Sequence, residues 1–181
     1  IRLGAWSTAH SLEAANNKKQ VDPKQMLQAV SLTNDYISLE HGHENMFATL
    51  FFGILDPCTG NLCYINGGHE PLYIIGPSGI KETLGAAGPA IGIVPGITYE
   101  VRQSRIEPGD ILIGYTDGVT EALSPGQGMY SKERFLAMLE PCPSSAVELI
   151  DRIKTDLFDH IDDAPQFDDI TMIVVYHKPK P

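Results

Sequence analysis

The sequence predicts an α+β domain in which helices pack on the outside of antiparallel β-sheets. Two helical periodicities lie within the first 40 residues, and two more follow residue 130. Between them lies a series of short apolar runs separated by turn residues, and a last apolar run closes the chain. We find neither an internal repeat nor a linker long enough to divide the chain, and we therefore predict one domain over residues 1–181.

The first two predicted elements are helices, each with one apolar face. The segment Ile1–Ala15 has apolar residues at spacings of three. In the second, Asp22 stands before Pro23, which is typical of a helix start, and apolar residues recur from Met26 to about Leu39.

The middle of the chain predicts strands. A hairpin runs along Met46–Leu55, turns over residues 56–61 and returns along Leu62–Asn66. The segment Gly85–Gly96 has four glycines and two prolines, which fits a mobile flap or a strained connector near the substrate; simple turn geometry is the alternative. The other predicted strands are Leu72–Ile75, Ile97–Ile106, Ile111–Tyr115 and Ile170–Tyr176.

Two more helices are predicted between the last two strands. One follows Ser131, and the other starts at Ser144 or Ser145, where Glu148 completes a capping box. The acidic residues of this region are predicted to form a solvated helix face; they are Asp151, Asp156, Asp159, Asp162 and Asp163.

Composition and charge exclude several classes of partner. Of the 181 residues, 43% are hydrophobic, which is enough for one packed core. Thirteen Lys and Arg against 23 Asp and Glu give a net charge of −10, which argues against nucleic acid. No apolar run reaches the roughly 20 residues of a membrane span, so we expect no membrane contact. Three cysteines are too few for a disulfide framework and favour a reducing, cytoplasmic location.

Acidic residues stand where two apolar strands end or begin. Asp117 follows the strand Ile111–Tyr115, and Asp168 and Asp169 precede the closing strand. A carboxylate beside a dense apolar run is costly to desolvate unless a cation receives it, and no Lys or Arg is near in sequence. A hard divalent cation such as Mg²⁺ or Mn²⁺ would fit. An Asp-Gly turn and an Asp-Asp loop cap are the alternative interpretation.

Five stretches stand in a fixed order: Met46–Asp56, Asn66–Pro71, Gly88–Ile93, Leu112–Ala122 and Asp168–Thr171. The fourth resembles the signature of the SpoIIE-like (RsbU-type) bacterial branch of the metal-dependent PPM serine/threonine protein phosphatases. The second resembles that family's Asn-x-Gly-His-x-Pro turn, and the fifth resembles its closing Asp-Asp-Ile-Thr. The resemblance covers nearly the whole chain.

The resemblance implies a sandwich of two antiparallel β-sheets flanked by helices, in α-β-β-α layers, with two Mn²⁺ or Mg²⁺ ions at one end. It implies that Asp117 and Asp168 are metal ligands and that Asp169 has a supporting role, orienting a water or serving the ligands from behind. Gly118 would let the backbone pass close to the site. No side chain is expected to be the nucleophile, because such enzymes use a metal-activated water.

One motif of the family has no counterpart in the sequence. This is the Gly-Asp-x-x-Gly-x-Gly stretch, which supplies the Asp that bridges both ions, and residues 1–15 match the helix that follows it. The start at Ile1 therefore predicts an N-terminally truncated domain whose first metal-binding motif lies upstream of residue 1, with a degenerate family member as the alternative. We expect the chain as it stands to bind metal weakly and to turn over little or no substrate.

The function that the resemblance implies is hydrolysis of phosphoserine or phosphothreonine on a regulatory protein, commonly a STAS-type anti-anti-sigma factor. An upstream sensor or receiver domain in a bacterial signalling protein is implied as well. The alternatives are a non-catalytic module of the same fold that binds such a partner, and a small-molecule phosphatase.

Two further residues have predictions of their own. His69 could act as a general acid on the substrate side of the site, but a ring that satisfies loop backbone groups is the interpretation we favour. Trp6 is expected in the core; loss of upstream chain would expose its face and promote a homodimer.

Overall fold

The computed structural model describes residues 22–42 and 46–179 of the chain. Its helices are α1 (Pro23–Glu40), α2 (Asp117–Thr120), α3 (Lys132–Met138) and α4 (Ala146–Ile161). Its strands are β1 (Leu50–Leu55), β2 (Asn61–Gly67), β3 (Leu72–Gly76), β4 (Gly79–Leu84), β5 (Arg102–Arg105), β6 (Ile111–Tyr115) and β7 (Met172–Tyr176). The helix predicted over Ile1–Ala15, with Trp6, lies outside the described residues.

The described strands form two antiparallel sheets. One has the order β1-β2-β5 and the other β4-β3-β6-β7. Strand β3 is buried along its whole length because it lies inside the second sheet and is covered on both faces. Leu72 and Ile74 pack toward the first sheet, whereas Tyr73 and Ile75 pack toward the helices α3 and α4. The strict alternation of β-strand side chains thus divides one apolar strand between two cores.

Three apolar clusters separate four layers. Met26 and Val30 of α1 pack on Ile65 of the first sheet. The two sheets meet through side chains such as Tyr64 and Ile74. The second sheet packs on the late helices in a third cluster that includes Tyr115, Phe135, Leu149, Ile153 and Leu157. The predicted α+β class and its α-β-β-α layers are confirmed.

Helix α1 begins where the sequence predicts it. The Asp22 side chain accepts a hydrogen bond of 2.9 Å from the backbone N–H of Lys24, and Pro23 occupies the first helical position. The buried residues Met26, Val30 and Asn34 recur every four positions, so one stripe of the helix faces the first sheet.

Four strand predictions differ from the structure, one of them only slightly, since the closing strand begins at Met172 rather than Ile170. The first hairpin strand begins at Leu50 rather than Met46, although Ala48 still forms an isolated bridge with Ile91. The strand predicted over Ile97–Ile106 is reduced to β5, because only residues 61–64 of β2 are available to pair with it. Strand β4 has no counterpart in the prediction. It is an edge strand whose middle residues are polar and exposed, so no apolar run marks it.

The predicted late helices are confirmed, but the predicted solvated acidic face is only partly correct. Ser145 caps α4 by accepting a hydrogen bond from the Glu148 N–H. The prediction that Asp156 is solvated is wrong. Its carboxylate accepts hydrogen bonds of 2.8 and 2.9 Å from the Arg134 guanidinium and one of 2.6 Å from the Tyr130 hydroxyl. It therefore joins α4 to α3. Among the helices in the described part of the chain, none is long and apolar enough to cross a membrane.

Candidate metal centre

The end of β6 and the beginning of β7 lie side by side. Tyr115 pairs with Met172 in the antiparallel register. Beyond this pair, the Thr116 N–H donates to the Thr171 carbonyl over 3.0 Å, and the Thr171 N–H donates to the Thr116 hydroxyl oxygen over 3.0 Å. The hydroxyl in turn donates to the Asp169 carbonyl over 2.8 Å. The two acidic segments are thus joined backbone to backbone.

Gly118 allows the closest approach between these segments. It is buried at the start of α2, and a Cβ atom at this position would lie 2.6 Å from the carbonyl oxygen of Asp169 and 3.4 Å from the carbonyl carbon of Asp168. No side chain fits at such a distance from backbone atoms. The structure therefore brings Asp117, which follows β6, and Asp168, which precedes β7, to the same edge of the second sheet, where β6 ends and β7 begins.

The three aspartates at this edge are exposed to solvent. The Asp117 carboxylate accepts a hydrogen bond of 3.0 Å from the Gly118 N–H, and the Asp168 carboxylate accepts one of 2.6 Å from the Asp169 N–H. The expectation that these carboxylates are desolvated by the apolar strands, and need a cation for that reason, is therefore wrong. The strands are buried, but their ends deliver the acids into water, where the desolvation cost is small.

The chemistry of the donors suits a hard divalent ion. Carboxylate oxygens in an open, water-accessible position are the ligands that Mg²⁺ and Mn²⁺ prefer. Among residues 22–42 and 46–179, however, no three His, Cys, Asp or Glu side chains are grouped so that they could hold a metal. Asp117 and Asp168 can supply two carboxylates, so an ion here needs waters or other groups to complete its coordination.

His69 lies in the loop between β2 and β3, at the same end of the sandwich. Its backbone N–H donates to the side-chain oxygen of Asn66 over 2.9 Å, and its Nδ1 atom lies 2.9 Å from the Glu70 carbonyl oxygen. Asn66 is fully buried and also donates to the Leu84 carbonyl. These contacts favour the structural interpretation of His69, in which the ring satisfies a loop backbone group.

Glu70 also lies at this end of the sandwich, and the sequence did not predict a role for it. The hydroxyl of Tyr115, which is almost fully buried, donates to Glu70 over 3.2 Å. Burial, with the neighbouring Tyr73 and Glu70, raises the pKa of Tyr115, so the hydroxyl remains a donor. The available signal was the place of Glu70 within the Asn66–Pro71 stretch, directly after His69.

The segment Gly85–Gly96 is an anchored connector rather than a mobile flap. The buried Asn34 of α1 accepts from the Gly92 N–H over 3.0 Å and donates to the Val94 carbonyl over 2.9 Å. Asp35 accepts from the Gly96 N–H over 2.7 Å. Gly92 has φ of +91°, and a Cβ there would lie 2.4 Å from the Ile37 side chain. Gly92 therefore allows the connector to approach α1 closely.

A four-layer sandwich with aspartates where two paired strands meet is the architecture of PP2C-type (PPM) phosphatase domains. The chain belongs to the SpoIIE family: the model of the family described as Stage II sporulation protein E matches residues 3–178. The resemblance seen in the sequence motifs is confirmed. Its relatives and structural neighbours include PP2C-type serine/threonine phosphatases.

Two curated relatives and one solved structure illustrate the similarity. Protein IcfG of Synechocystis sp. is 51% identical over 166 residues, covering 92% of this chain and 26% of that protein. Phosphoserine phosphatase RsbU of Bacillus subtilis is 28% identical over 135 residues, covering 74% of this chain and 40% of that protein. The chain thus spans less than half the length of either relative.

The solved structure is the phosphatase domain of the cell fate determinant SpoIIE from Bacillus subtilis, presoaked with Mn. It matches with a TM-score of 0.60 and 19% identity, over 100% of this chain and 84% of that chain. At this identity the match supports the fold.

Proposed function

We propose that this chain forms one domain that removes phosphate from phosphoserine or phosphothreonine on a regulatory protein. The observation that carries the proposal is the junction of β6 and β7, where Thr116 and Gly118 hold the backbone of Asp117 against that of Asp168 and Asp169. Membership of the SpoIIE family supports the reaction class.

The aspartates are proposed to act as metal ligands. Asp117 and Asp168 each bring one carboxylate, and Asp169 supports them from the adjacent position. When bound, Mn²⁺ or Mg²⁺ would lower the pKa of a coordinated water toward about 7 and neutralise the phosphoryl oxygens. Waters and groups outside the described residues would supply the remaining coordination.

The negative charge of this edge explains why phosphate binding here would need cations. Three exposed aspartates would repel a dianionic phosphate, and the chain as a whole has a net charge of −10. Divalent ions held by Asp117 and Asp168 would reverse the sign of the local field, so that a phosphate could approach.

The substrate is proposed to be a STAS-type regulatory protein, and an upstream sensor or receiver domain is proposed to control the reaction. Support comes from the family and from RsbU, which is a phosphoserine phosphatase by name. A cytoplasmic location is part of the same proposal, and it is supported by Cys58, Cys63 and Cys142 being free thiols.

A non-catalytic binding module is the second candidate. It is favoured by one observation, which is that the described residues contain no group of three metal-ligating side chains. Such a module would keep the fold and bind a regulatory protein without hydrolysing it.

The test is hydrolysis of p-nitrophenyl phosphate and of a phosphoserine protein by the natural full-length protein in Mn²⁺. We expect turnover that a chelator abolishes and that Asp117→Asn and Asp168→Asn each reduce by at least about a hundredfold. Asp163→Asn, an exposed carboxylate beyond α4, is the matched control and should behave as the parent. Metal-independent binding of the phosphoprotein without turnover would favour the binding module.

A further inference from the structure

His160, in the last turn of α4, contacts two other elements through its ring. Its Nδ1 atom lies 3.0 Å from a guanidinium nitrogen of Arg134 on α3, and its Nε2 atom lies 3.0 Å from the carbonyl oxygen of Gly128. A guanidinium only donates hydrogen bonds, and a carbonyl only accepts them. Nδ1 must therefore accept and Nε2–H must donate, so these two contacts specify a neutral ring with its proton on Nε2.

Gly128 belongs to a turn, residues 123–129, that follows α2 along the chain. Its carbonyl also accepts from the Ser124 N–H over 2.9 Å. Gln127 in the same turn has φ of +62°, in the left-handed region that residues other than glycine rarely adopt. Such a conformation persists only where surrounding contacts hold it. The hydrogen bond from His160 to Gly128 is one of the contacts that hold this turn.

The His160 ring is faced by charged and titratable groups. Arg134 comes from α3, Tyr130 follows the turn with its ring centroid 5.5 Å away, and Asp156 lies one helical turn earlier on α4. Hydrogen bonds from Arg134 lower the pKa of Asp156, and burial raises the pKa of Tyr130. Both groups therefore keep their charge state between about pH 5.5 and pH 8, as the guanidinium does, whereas a histidine ordinarily titrates in this range.

Protonation of His160 would remove the acceptor that Arg134 uses. Nδ1 would then carry a proton toward a guanidinium nitrogen 3.0 Å away, and two cations would stand side by side. Asp156 attracts an imidazolium, but its carboxylate already accepts from both Arg134 and Tyr130. The repulsion is relieved when the ring turns away, and Nε2 then leaves the Gly128 carbonyl.

We propose that His160 is a pH-sensitive contact, whose neutral ring holds the 123–129 turn against α3 and α4 and whose imidazolium releases it. The N–H groups of Tyr130 and Ser131 donate to the carbonyls of Ala122 and Thr120, so the released turn stays attached to the end of α2. Release requires neither a metal nor a phosphoprotein, and it is therefore independent of the proposed phosphatase activity.

Hydrogen–deuterium exchange of the natural full-length protein, without added metal, tests this release. Exchange in peptides that cover residues 122–131 is measured by mass spectrometry at about pH 8 and about pH 5.5. Each rate is divided into that of the unstructured peptide at the same pH, which removes the pH dependence of the exchange chemistry. In the parent we expect the protection of this segment to fall by about fivefold at the lower pH, which corresponds to one hydrogen bond of about 1 kcal/mol.

Variants assign the change to His160. Glutamine has a donor and an acceptor but does not titrate, so His160→Gln should show the same protection at both pH values. His160→Ala loses both contacts and should show the lower protection at both. His177→Gln is the matched control. This histidine lies beyond β7, where its ring contacts the Ile106 carbonyl, and its variant should keep the response of the parent.

Equal protection of residues 122–131 at both pH values in the parent would overturn the proposal, and so would a response that survives in His160→Gln. Nitrogen NMR of protein with labelled histidines measures the ring directly. We expect the proton on Nε2 of His160 at about pH 8. A proton on Nδ1 instead would overturn the proposal as well.

Discussion

The Thr116 hydroxyl donates a hydrogen bond of 2.8 Å to the backbone carbonyl of Asp169, from the end of one strand to the start of its neighbour. The same oxygen accepts from the Thr171 N–H. One side chain therefore fixes the spacing between the two acidic segments on which the account depends.

Replacing Thr116 by Val should loosen this junction. Val has nearly the same shape but lacks the hydroxyl, so both side-chain hydrogen bonds are lost. We expect a cost of about 1 kcal/mol in the free energy of unfolding and a fall of about tenfold in Mn²⁺ affinity. Urea unfolding and calorimetric titration measure the two effects. Thr116→Ser retains the hydroxyl and should recover most of both; equal Mn²⁺ affinity in the Val and Ser variants would argue against the role of the hydroxyl.

Gly118→Ala should destabilise the fold more than the addition of one methyl group usually does. The added methyl group would lie 2.6 Å from the Asp169 carbonyl oxygen, so the two segments must move apart. We expect a loss of about 1–3 kcal/mol in unfolding free energy. Gly126→Ala is the matched control, because a Cβ there has no neighbour closer than 3.9 Å. A melting temperature for Gly118→Ala equal to that of Gly126→Ala would contradict the close approach.

The parts of the fold that the sequence predicted are those in which an apolar pattern reports burial. Helix α1, the hairpin and the strands β6 and β7 all have such a pattern. Strand β4 does not, because an edge strand presents polar residues to water. Local patterns likewise overestimated the strand that became β5, whose length depends on its distant partner β2.

The candidate site was predictable only as residue types. Motif resemblance singled out Asp117 and Asp168, but their proximity follows from the long-range register in which Tyr115 pairs with Met172. Their exposure was not predictable either, because a strand's burial does not determine whether the residue after its end faces water. The hydrogen bonds from Asn34 to the connector Gly85–Gly96 were not predictable, because a single polar residue in an apolar stripe has no distinctive local pattern.

Asn34→Ala should detach the connector from α1. The substitution leaves the Gly92 N–H and the Val94 carbonyl without this partner and removes an acceptor from the buried Tyr99 hydroxyl. We expect a loss of about 3 kcal/mol in unfolding free energy. Thr33→Ala, the exposed neighbour on the same helix, should change it by about 0.5 kcal/mol or less. We expect faster amide hydrogen exchange at Gly92 in the Asn34 variant. Unchanged exchange would show that the Asn34 hydrogen bonds are not needed to hold the connector.

The ion pair between α3 and α4 should give a pH-dependent contribution to stability. Hydrogen bonds from Arg134, opposed by partial burial and assisted by Tyr130, lower the pKa of Asp156 from its ordinary value of 3.8. Because the folded-state pKa is the lower one, the stabilisation is fully present above pH 3.8 and is lost as the pH falls through the folded-state pKa.

Asp156→Asn measures this contribution. The side chains of Arg134 and Asp156 are 40% and 28% exposed, so water screens the pair and we expect a cost of about 1–2 kcal/mol at pH 7. The difference from the parent should shrink toward pH 2, as followed by urea unfolding at each pH. Asp159→Asn on the same helix is the exposed control. A difference that stays constant from pH 7 to pH 2 would contradict the ionic origin.

The most direct test is calorimetric titration of Mn²⁺ into the natural full-length protein and into its Asp117→Asn, Asp168→Asn and Asp163→Asn variants. Asp117 and Asp168 are held at one edge of the sheet by Thr116 and Gly118, so removal of either carboxylate should weaken Mn²⁺ binding by at least about tenfold. The Asp163 variant should bind Mn²⁺ as the parent does. Unchanged Mn²⁺ affinity in both the Asp117 and the Asp168 variants would contradict the account.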